Sequence, residues 1–120
     1  SFNGDVSNFD TSSVTDMTSM FSSAHAFNQP LNINTSSVTN MQGMFNYAKK
    51  FNQPLHFDTS NVRRMNAMFN TAEMFNQTVN FTTRLVTSMR QMFLFAKKFN
   101  QAVSFDTINV NNMNFMFNGA

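Results

Sequence analysis

The chain has 120 residues, which suffices for one domain, and its formal net charge of +2 is too small to indicate binding to nucleic acid or to an anionic membrane. It has no cysteine, which excludes disulfides and thiolate metal sites. Phe (16) and Met (11) dominate the apolar residues, whereas charged residues make up only 12%. No apolar run approaches the ~18 residues of a membrane span, so we expect no membrane insertion within this segment.

The sequence repeats with a period of 24 residues, and Val38, Met41 and Phe45 recur at this spacing in all five copies. A fixed period between 20 and 50 residues is typical of stacked repeats, in which each copy buries its apolar face only against its neighbours. The copies span approximately 2–26, 27–50, 51–74, 75–98 and 99–120. We expect a single repeat domain that is a segment of a longer array.

Each copy is predicted to begin with a short strand. In the second copy Pro30 precedes Leu31 and Ile33, which alternate with Asn32 and Asn34 as in a strand with one buried face. The first copy has one extra residue, between positions 6 and 9, where a bulge or loosened turn is expected. One strand per copy, stacked in register, predicts a parallel β-ladder.

A turn and a helix are predicted to follow the strand. Residues 34–37 read Asn-Thr-Ser-Ser, and such side chains favour turns and helix starts. Apolar residues then fall on one helical face, at spacings of 3, 3, 1 and 3: Val38, Met41, Met44, Phe45 and Ala48. The sequence therefore predicts an α/β solenoid, a right-handed stack of about five strand–turn–helix copies. Because helices are thicker than strands, we expect it to curve with the strands on the concave face.

Three polar columns recur at the 24-residue spacing. An Asn column is expected to bond the backbone of its own turn and of the next: Asn28, Asn52, Asn76 and Asn100. A Thr column never varies: Thr11, Thr35, Thr59, Thr83 and Thr107. A regular row of threonines is one way to match the lattice of ice, but a role of these residues in turns or helix caps already explains the column. A third column is predicted to start the helices: Asp10, Asn34, Asp58, Thr82 and Asp106.

Catalytic and metal chemistry finds little support in the sequence. His25 and His56 are the only histidines and occupy different positions of the repeat, and nothing selects a Ser–His–acid arrangement. The aspartates of the third column are interrupted in the second and fourth copies, whereas calcium needs several oxygen ligands together. We therefore predict no enzymatic activity, no cofactor and no metal.

Charged side chains are few, and the basic residues are scattered rather than gathered in one block. Stacking of the copies predicts that Lys49, Glu73 and Lys97 alternate in sign along one outer edge, which favours register and solubility. Arg63-Arg64 and Arg90 lie on the predicted helices, where they could contact a partner or acidic glycans. No aromatic residues interleave with them on an exposed face, which argues against nucleic acid.

The motifs F-N-Q-P-L and T-S-x-V-x-x-M-x-x-M-F, followed by a late Ala, recur together over the whole chain. In this they resemble the bacterial surface-protein repeat found in mycoplasma surface lipoproteins and in Listeria proteins, a relative of the BspA-type leucine-rich repeats. The fourth copy departs from the pattern, with Thr78 in place of Pro and Arg84-Leu85 in place of Ser-Ser. The resemblance implies a leucine-rich-repeat-like fold and a secreted or surface location linked to adhesion or envelope structure. It supplies no catalytic residues.

Two functions are compatible with these features. The leading hypothesis is a non-enzymatic structural or adhesive segment of an extracellular or cell-surface protein, assembling head to tail with other copies of itself or with neighbouring repeats. The alternative is a recognition module that binds a host or matrix protein or a glycan on its concave strand face. Its candidate ligand-binding residues are Asn32, Asn34, His56, Asp58, Asn80, Ser104 and Asp106. Asn34 and Asn80 are also candidate N-glycosylation acceptors, whereas Asn76, in a sequon too, is expected to be buried.

Overall fold

The computed structural model describes residues 2–120 as five turn-rich layers, one for each copy of the repeat. Backbone hydrogen bonds join each layer to the next at a constant register. The Met41 N–H donates to the Arg64 carbonyl at 3.0 Å, and the Phe45 N–H donates to the Met68 carbonyl at 2.9 Å. Equivalent bonds join layers 1 and 2, 3 and 4, and 4 and 5, so one interface is repeated four times.

The predicted α/β solenoid is wrong. Between residues 2 and 120 there is neither an α-helix nor a strand longer than a single bridge residue. The strand-like pairing is confined to a column of isolated parallel bridges: Asp16, Asn40, Arg64, Ser88 and Asn112. The leucine-rich-repeat-like architecture implied by the resemblance, with its parallel β-ladder and outer helices, is therefore wrong as well.

The predicted helix is in fact a series of overlapping turns. The N–H of Met44 donates to the carbonyl of Met41 at 3.2 Å, and the N–H of Ala48 donates to the carbonyl of Phe45 at 3.0 Å. Alternate N–H groups, at Met41, Gly43, Phe45 and Tyr47, point instead to the next layer. A helix would need all of these groups for bonds within its own turns, so the bonds between layers replace it.

Two residues per layer adopt the left-handed backbone conformation, which a right-handed helix excludes. In layer 2 these are Gly43, with φ of 61°, and Tyr47, with φ of 58°. Each is the third residue of a hydrogen-bonded turn, the position at which type II turns require positive φ. The same two positions recur in the other layers: Ser19, Ser23, Ala67, Thr71, Gln91, Phe95, Phe115 and Gly119.

Burial nevertheless follows the predicted apolar pattern. The five residues assigned to the helix face of copy 2 are all fully buried, and Leu31 and Ile33 are buried between the exposed Asn32 and Asn34. The segment around Ile33 forms no strand, and among residues 2–120 no backbone ladder joins it to its neighbours. Because no helix thickens one side of the layers, the expected cause of a concave strand face is absent.

Two columns of stacked phenylalanines form the centre of the core. The rings of Phe45 and Phe69 are 5.5 Å apart and nearly parallel, as are those of Phe51 and Phe75 at 6.0 Å. Within a layer the two columns touch, with Phe69 and Phe75 at 4.1 Å. Buried methionines such as Met68 fill the space beside them. Each ring can be buried on both faces only when a layer lies above it and another below.

The extra residue of the first copy forms a local turn, as predicted. The Phe9 N–H donates to the Val6 carbonyl at 3.1 Å, and the Asp5 carboxylate accepts the Ser7 N–H at 2.8 Å. Phe9 is 59% exposed, whereas its equivalents Ile33 and Phe57 are buried. The first layer is therefore packed less completely than the three that follow it.

Candidate functional site

The Asn column joins consecutive layers through its side chains. The Asn52 Oδ1 accepts the Asn76 N–H at 2.9 Å and the Gln77 Nε2 at 3.1 Å. Asn28 and Asn76 make the same pair of contacts to the layers that follow them. The prediction that this column bonds the backbone of the next turn is confirmed, whereas no bond from these side chains to the backbone of their own turn occurs among residues 2–120.

The Thr column is buried and bonds to the next layer. The Thr59 hydroxyl donates to the Thr82 carbonyl at 3.0 Å, and Thr59 is 2% exposed. Thr11, Thr35 and Thr83 repeat this contact. These four hydroxyls are occupied and hidden in the stack, so they do not form the exposed row that an ice-binding surface requires.

The third column closes turns rather than starting helices. The Asp58 Oδ1 accepts the Ser60 hydroxyl at 2.6 Å and the Ser60 N–H at 3.0 Å, and these bonds lower the pKa of Asp58. Asp10, Asn34 and Asp106 accept the N–H two residues on in the same way. Three of the seven candidate ligand-binding residues, Asn34, Asp58 and Asp106, therefore use one oxygen to hold their own backbone.

The remaining four candidates lie in one row, one in each of four consecutive layers. Asn32, His56, Asn80 and Ser104 are all exposed, and within residues 2–120 no hydrogen bond engages their side chains. The sequon residues Asn34 and Asn80 are exposed as well. Asn76 is only partly buried, not buried as predicted, and its Oδ1 accepts the Asn100 N–H. Ligand binding and glycosylation at these residues stay predictions.

The charged edge forms as the sequence predicts. Glu73 is paired with two lysines from neighbouring layers, with Oε1 at 3.3 Å from the Lys49 Nζ and Oε2 at 3.2 Å from the Lys97 Nζ. Hydrogen bonds from Lys97 and Lys49 lower the pKa of Glu73. The three side chains tie layers 2, 3 and 4 together along the outside of the stack.

A polar groove of about 350 Å³ runs across the first four layers beside the column of parallel bridges. We call it the arginine groove. Its lining combines two guanidinium groups, one carboxylate, one amide and two hydroxyls: Asp16, Thr39, Asn40, Arg63, Arg64 and Thr87. None of the seven candidate ligand-binding residues lines it. The sequence singled out Arg63 and Arg64 as possible contacts for a partner, but neither the groove nor its other lining residues were predicted.

The arginine groove has an uneven distribution of charge. Hydrogen bonds from Thr18 and from Asn40, together with the charge of Arg64, lower the pKa of Asp16, so this carboxylate is ionised at neutral pH. Arg63 and Arg64 are exposed and form no ion pair within 4.0 Å in the part of the chain that the structure describes. One signal for this site was present in the sequence, since layers 2 and 4 carry Thr-Asn and Thr-Ser where layer 3 carries Arg-Arg.

A family comparison covers the whole chain. Residues 1–80, and again residues 55–120, match the family described as "Mycoplasma protein of unknown function, DUF285". The chain belongs to this DUF285 family. The match confirms the expected resemblance at the level of a mycoplasma-type repeat. No curated protein and no solved structure matches the chain.

Among residues 2–120, no three His, Asp or Glu side chains are grouped so as to hold a metal ion. The same residues contain no helix long and apolar enough to cross a membrane.

The two end layers of the DUF285 stack expose complementary backbone groups. At one end, no partner within residues 2–120 accepts the N–H groups of Met113, Phe115 and Phe117, whose equivalents in every other layer donate to the next layer. At the other end, the carbonyls of Thr18 and Met20 accept no backbone bond from any residue between 2 and 120, although their equivalents in layers 2 to 5 do. Exposed apolar side chains accompany both sets, and Phe115 is 56% and Met20 37% exposed.

Proposed function

We propose that the chain is a non-enzymatic structural or adhesive segment of an extracellular or cell-surface protein, and that its layers extend head to tail. The observation that carries the proposal is the constant interface between layers. Backbone bonds, the Asn column and the Thr column all repeat at one register, and most of the polar groups that recur in every copy are used for stacking.

The end layers provide a physical route to extension. The donors of layer 5 and the acceptors of layer 1 lie at the spacing that is already bonded four times within the stack. Phe117 stacks on Phe93 at 5.5 Å and leaves its other face open among residues 2–120. A layer added at this end, from neighbouring repeats or from a second copy, would bury that ring and pair the free N–H groups. Unpaired edges of this kind are templates for another chain.

The surface location is supported by resemblance. The motifs resemble those of surface repeats of mycoplasmas and Listeria and of the BspA type, which are linked to adhesion or envelope structure. The family match supports the mycoplasma-type repeat only, so the finer relationship and the location belong to this proposal. Host or matrix proteins and glycans are the partners that an adhesive segment of this kind would meet.

Electron microscopy of the purified chain over a range of concentrations tests the extension. We expect rods of constant width that lengthen with concentration. Met113 and Met74 offer a matched pair, because both are 48% exposed but only Met113 lies on an end layer. Met113→Lys should stop rod growth and Met74→Lys should not. Particles that contain a single chain at every concentration would contradict the proposal.

The row of Asn32, His56, Asn80 and Ser104 supports recognition as a second function. These side chains are exposed, make no hydrogen bond within residues 2–120 and differ from layer to layer, as expected of a surface that the fold does not constrain. His56→Ala and Asp58→Asn test it on a protein or glycan array, and Asp58→Asn keeps the turn that Asn34 makes in layer 2. Lost binding with unchanged stability favours recognition; unchanged binding favours a purely structural role.

A further inference from the structure

We propose that the arginine groove binds an oxyanion of an acidic glycan, a sugar chain that carries sulfate or carboxylate groups, with Arg63 and Arg64 as the cationic residues. This site is separate from the row of candidate ligand-binding residues, and of its lining residues only Asp16 belongs to an end layer. It does not depend on head-to-tail extension.

The first argument is charge. Two guanidinium groups face one carboxylate, so the groove has a net positive charge in a chain whose charged residues make up only 12%. Lys49 and Lys97 are paired with Glu73, whereas Arg63 and Arg64, like Lys50 and Lys98, have no carboxylate within 4.0 Å among residues 2–120, so no ion pair neutralises their charges. An arginine presents several N–H donors in a planar fork that matches sulfate and carboxylate oxygens.

The second argument is position. Arg63 lies between Thr39 and Thr87 of the adjacent layers, because its N–H donates to the Thr39 carbonyl at 2.8 Å and its carbonyl accepts the Thr87 N–H at 2.9 Å. Arg64, the next residue, belongs to the column of parallel bridges, in which it pairs with Asn40, and Asn40 in turn pairs with Asp16. The charge of Arg64, and not that of Arg63, contributes to the lowered pKa of Asp16. We therefore expect Arg63 to contribute more to anion binding than Arg64.

The third argument concerns the class of ligand. The other lining groups are hydroxyls and an amide, and the hydroxyls of Thr39 and Thr87 donate to backbone carbonyls, which leaves their oxygens free to accept from sugar hydroxyls. No aromatic side chain lines the groove, so it lacks the stacking surfaces that bind single-stranded nucleic acid. The lining therefore fits a hydroxylated anion better than a nucleic acid.

Titration calorimetry with a heparin decasaccharide, at low and at physiological ionic strength, tests the proposal. The double variant Arg63→Thr, Arg64→Asn copies the Thr39-Asn40 pair of layer 2, so the fold is expected to tolerate it. It should lower the affinity at least about tenfold, since charge-assisted hydrogen bonds are lost. Arg63→Thr alone should lower it more than Arg64→Asn alone.

Asp16→Asn gives a result of opposite sign. Asn40 and Asn112 show that an amide makes the same turn at this position, so the substitution removes only the negative charge. The affinity should rise about two- to fivefold because an anion no longer meets a carboxylate in the groove. Lower or unchanged affinity for this variant would contradict the placement of the anion beside Asp16.

The matched control is Lys50→Gln, Lys98→Gln, which removes the same net charge at exposed lysines outside the groove. This variant should bind the decasaccharide within about twofold of the parent chain. Equal weakening by the two double variants would show that net charge alone drives binding and would overturn the proposal. Absence of binding by the parent chain would overturn it as well. Sodium sulfate at the same sulfate concentration distinguishes the sources of the anion. Weak binding of sulfate alone supports a glycan site, whereas equal binding overturns it in favour of a simple anion site.

Discussion

The Thr column offers a direct measure of what one side chain contributes to the stacking of layers. Thr59→Val removes the hydroxyl that donates to the Thr82 carbonyl at 3.0 Å and keeps a side chain of similar shape at a position that is 2% exposed. The loss comprises one net hydrogen bond of ~1 kcal/mol and part of the cost of an unpaired carbonyl. We expect the free energy of unfolding to fall by about 1–2 kcal/mol, measured by urea denaturation, and the melting temperature by roughly 4–8 °C.

Thr107→Val is the matched control for this prediction. It occupies the same column in the last layer, where the residue is exposed and its hydroxyl has no partner in the part of the chain that the structure describes. Its effect should stay within about 0.5 kcal/mol. Equal losses for the two variants would refute the reasoning, because they would show that the hydroxyl between layers contributes nothing specific.

Three further predictions concern the Asn column, the left-handed positions and acid stability. Asn52→Ala removes the oxygen that accepts bonds from the next layer at 2.9 and 3.1 Å, and it should lower the free energy of unfolding by about 1–2 kcal/mol in urea denaturation. Asn100→Ala, in the last layer, should lower it by less than about 0.5 kcal/mol, and equal losses would contradict the role of the Asn column in stacking. Thr71 is β-branched and has a φ of 56°, a conformation that strains such a residue, so Thr71→Asn should raise the free energy of unfolding by about 1 kcal/mol, measured by calorimetry. Thr78→Asn lies outside the left-handed positions and should not stabilise the chain; a destabilising Thr71→Asn would argue against strain at this position. Two lysines lower the pKa of Glu73, so the stabilisation that its carboxylate gives is present at neutral pH and is lost as the pH falls through this lowered pKa. Denaturation between pH 7 and 3 should therefore show a smaller loss of stability for Glu73→Gln than for the parent chain, and equal losses would contradict the ion pairs.

The sequence predicted which residues are buried but not which backbone buries them. Val38, Met41 and Phe45 were assigned to a helix because their spacing fits one helical face, and all three are fully buried. A series of turns with two left-handed residues places side chains at the same spacing, so periodicity alone did not distinguish the two backbones. The composition argued against a helix, since residues 35–46 are rich in Ser, Thr, Asn and Gly, which are poor helix formers.

The role of the Asn column was predicted correctly, whereas that of the Asx column was wrong because the prediction assumed a helix. An invariant Asn at one position indicated a side chain that bonds the next turn, and Asn52 does so. The Asx column was predicted to start helices, and Asp58 closes a turn instead, because no helix follows it. The arginine groove was not predicted, although the 24-residue period places Arg64 in the same column as Asp16 two layers away, because the arginines were assigned to outer helices.

Amide hydrogen exchange at two equivalent phenylalanines tests the central claim, that each layer is the template for the next. The Phe69 N–H donates to the Met92 carbonyl at 2.9 Å, whereas the equivalent Phe117 N–H has no acceptor within residues 2–120. At low concentration we predict slow exchange at Phe69 and fast exchange at Phe117. At concentrations at which rods form, Phe117 should become as protected as Phe69. Fast exchange at Phe117 under both conditions would contradict head-to-tail stacking of layers.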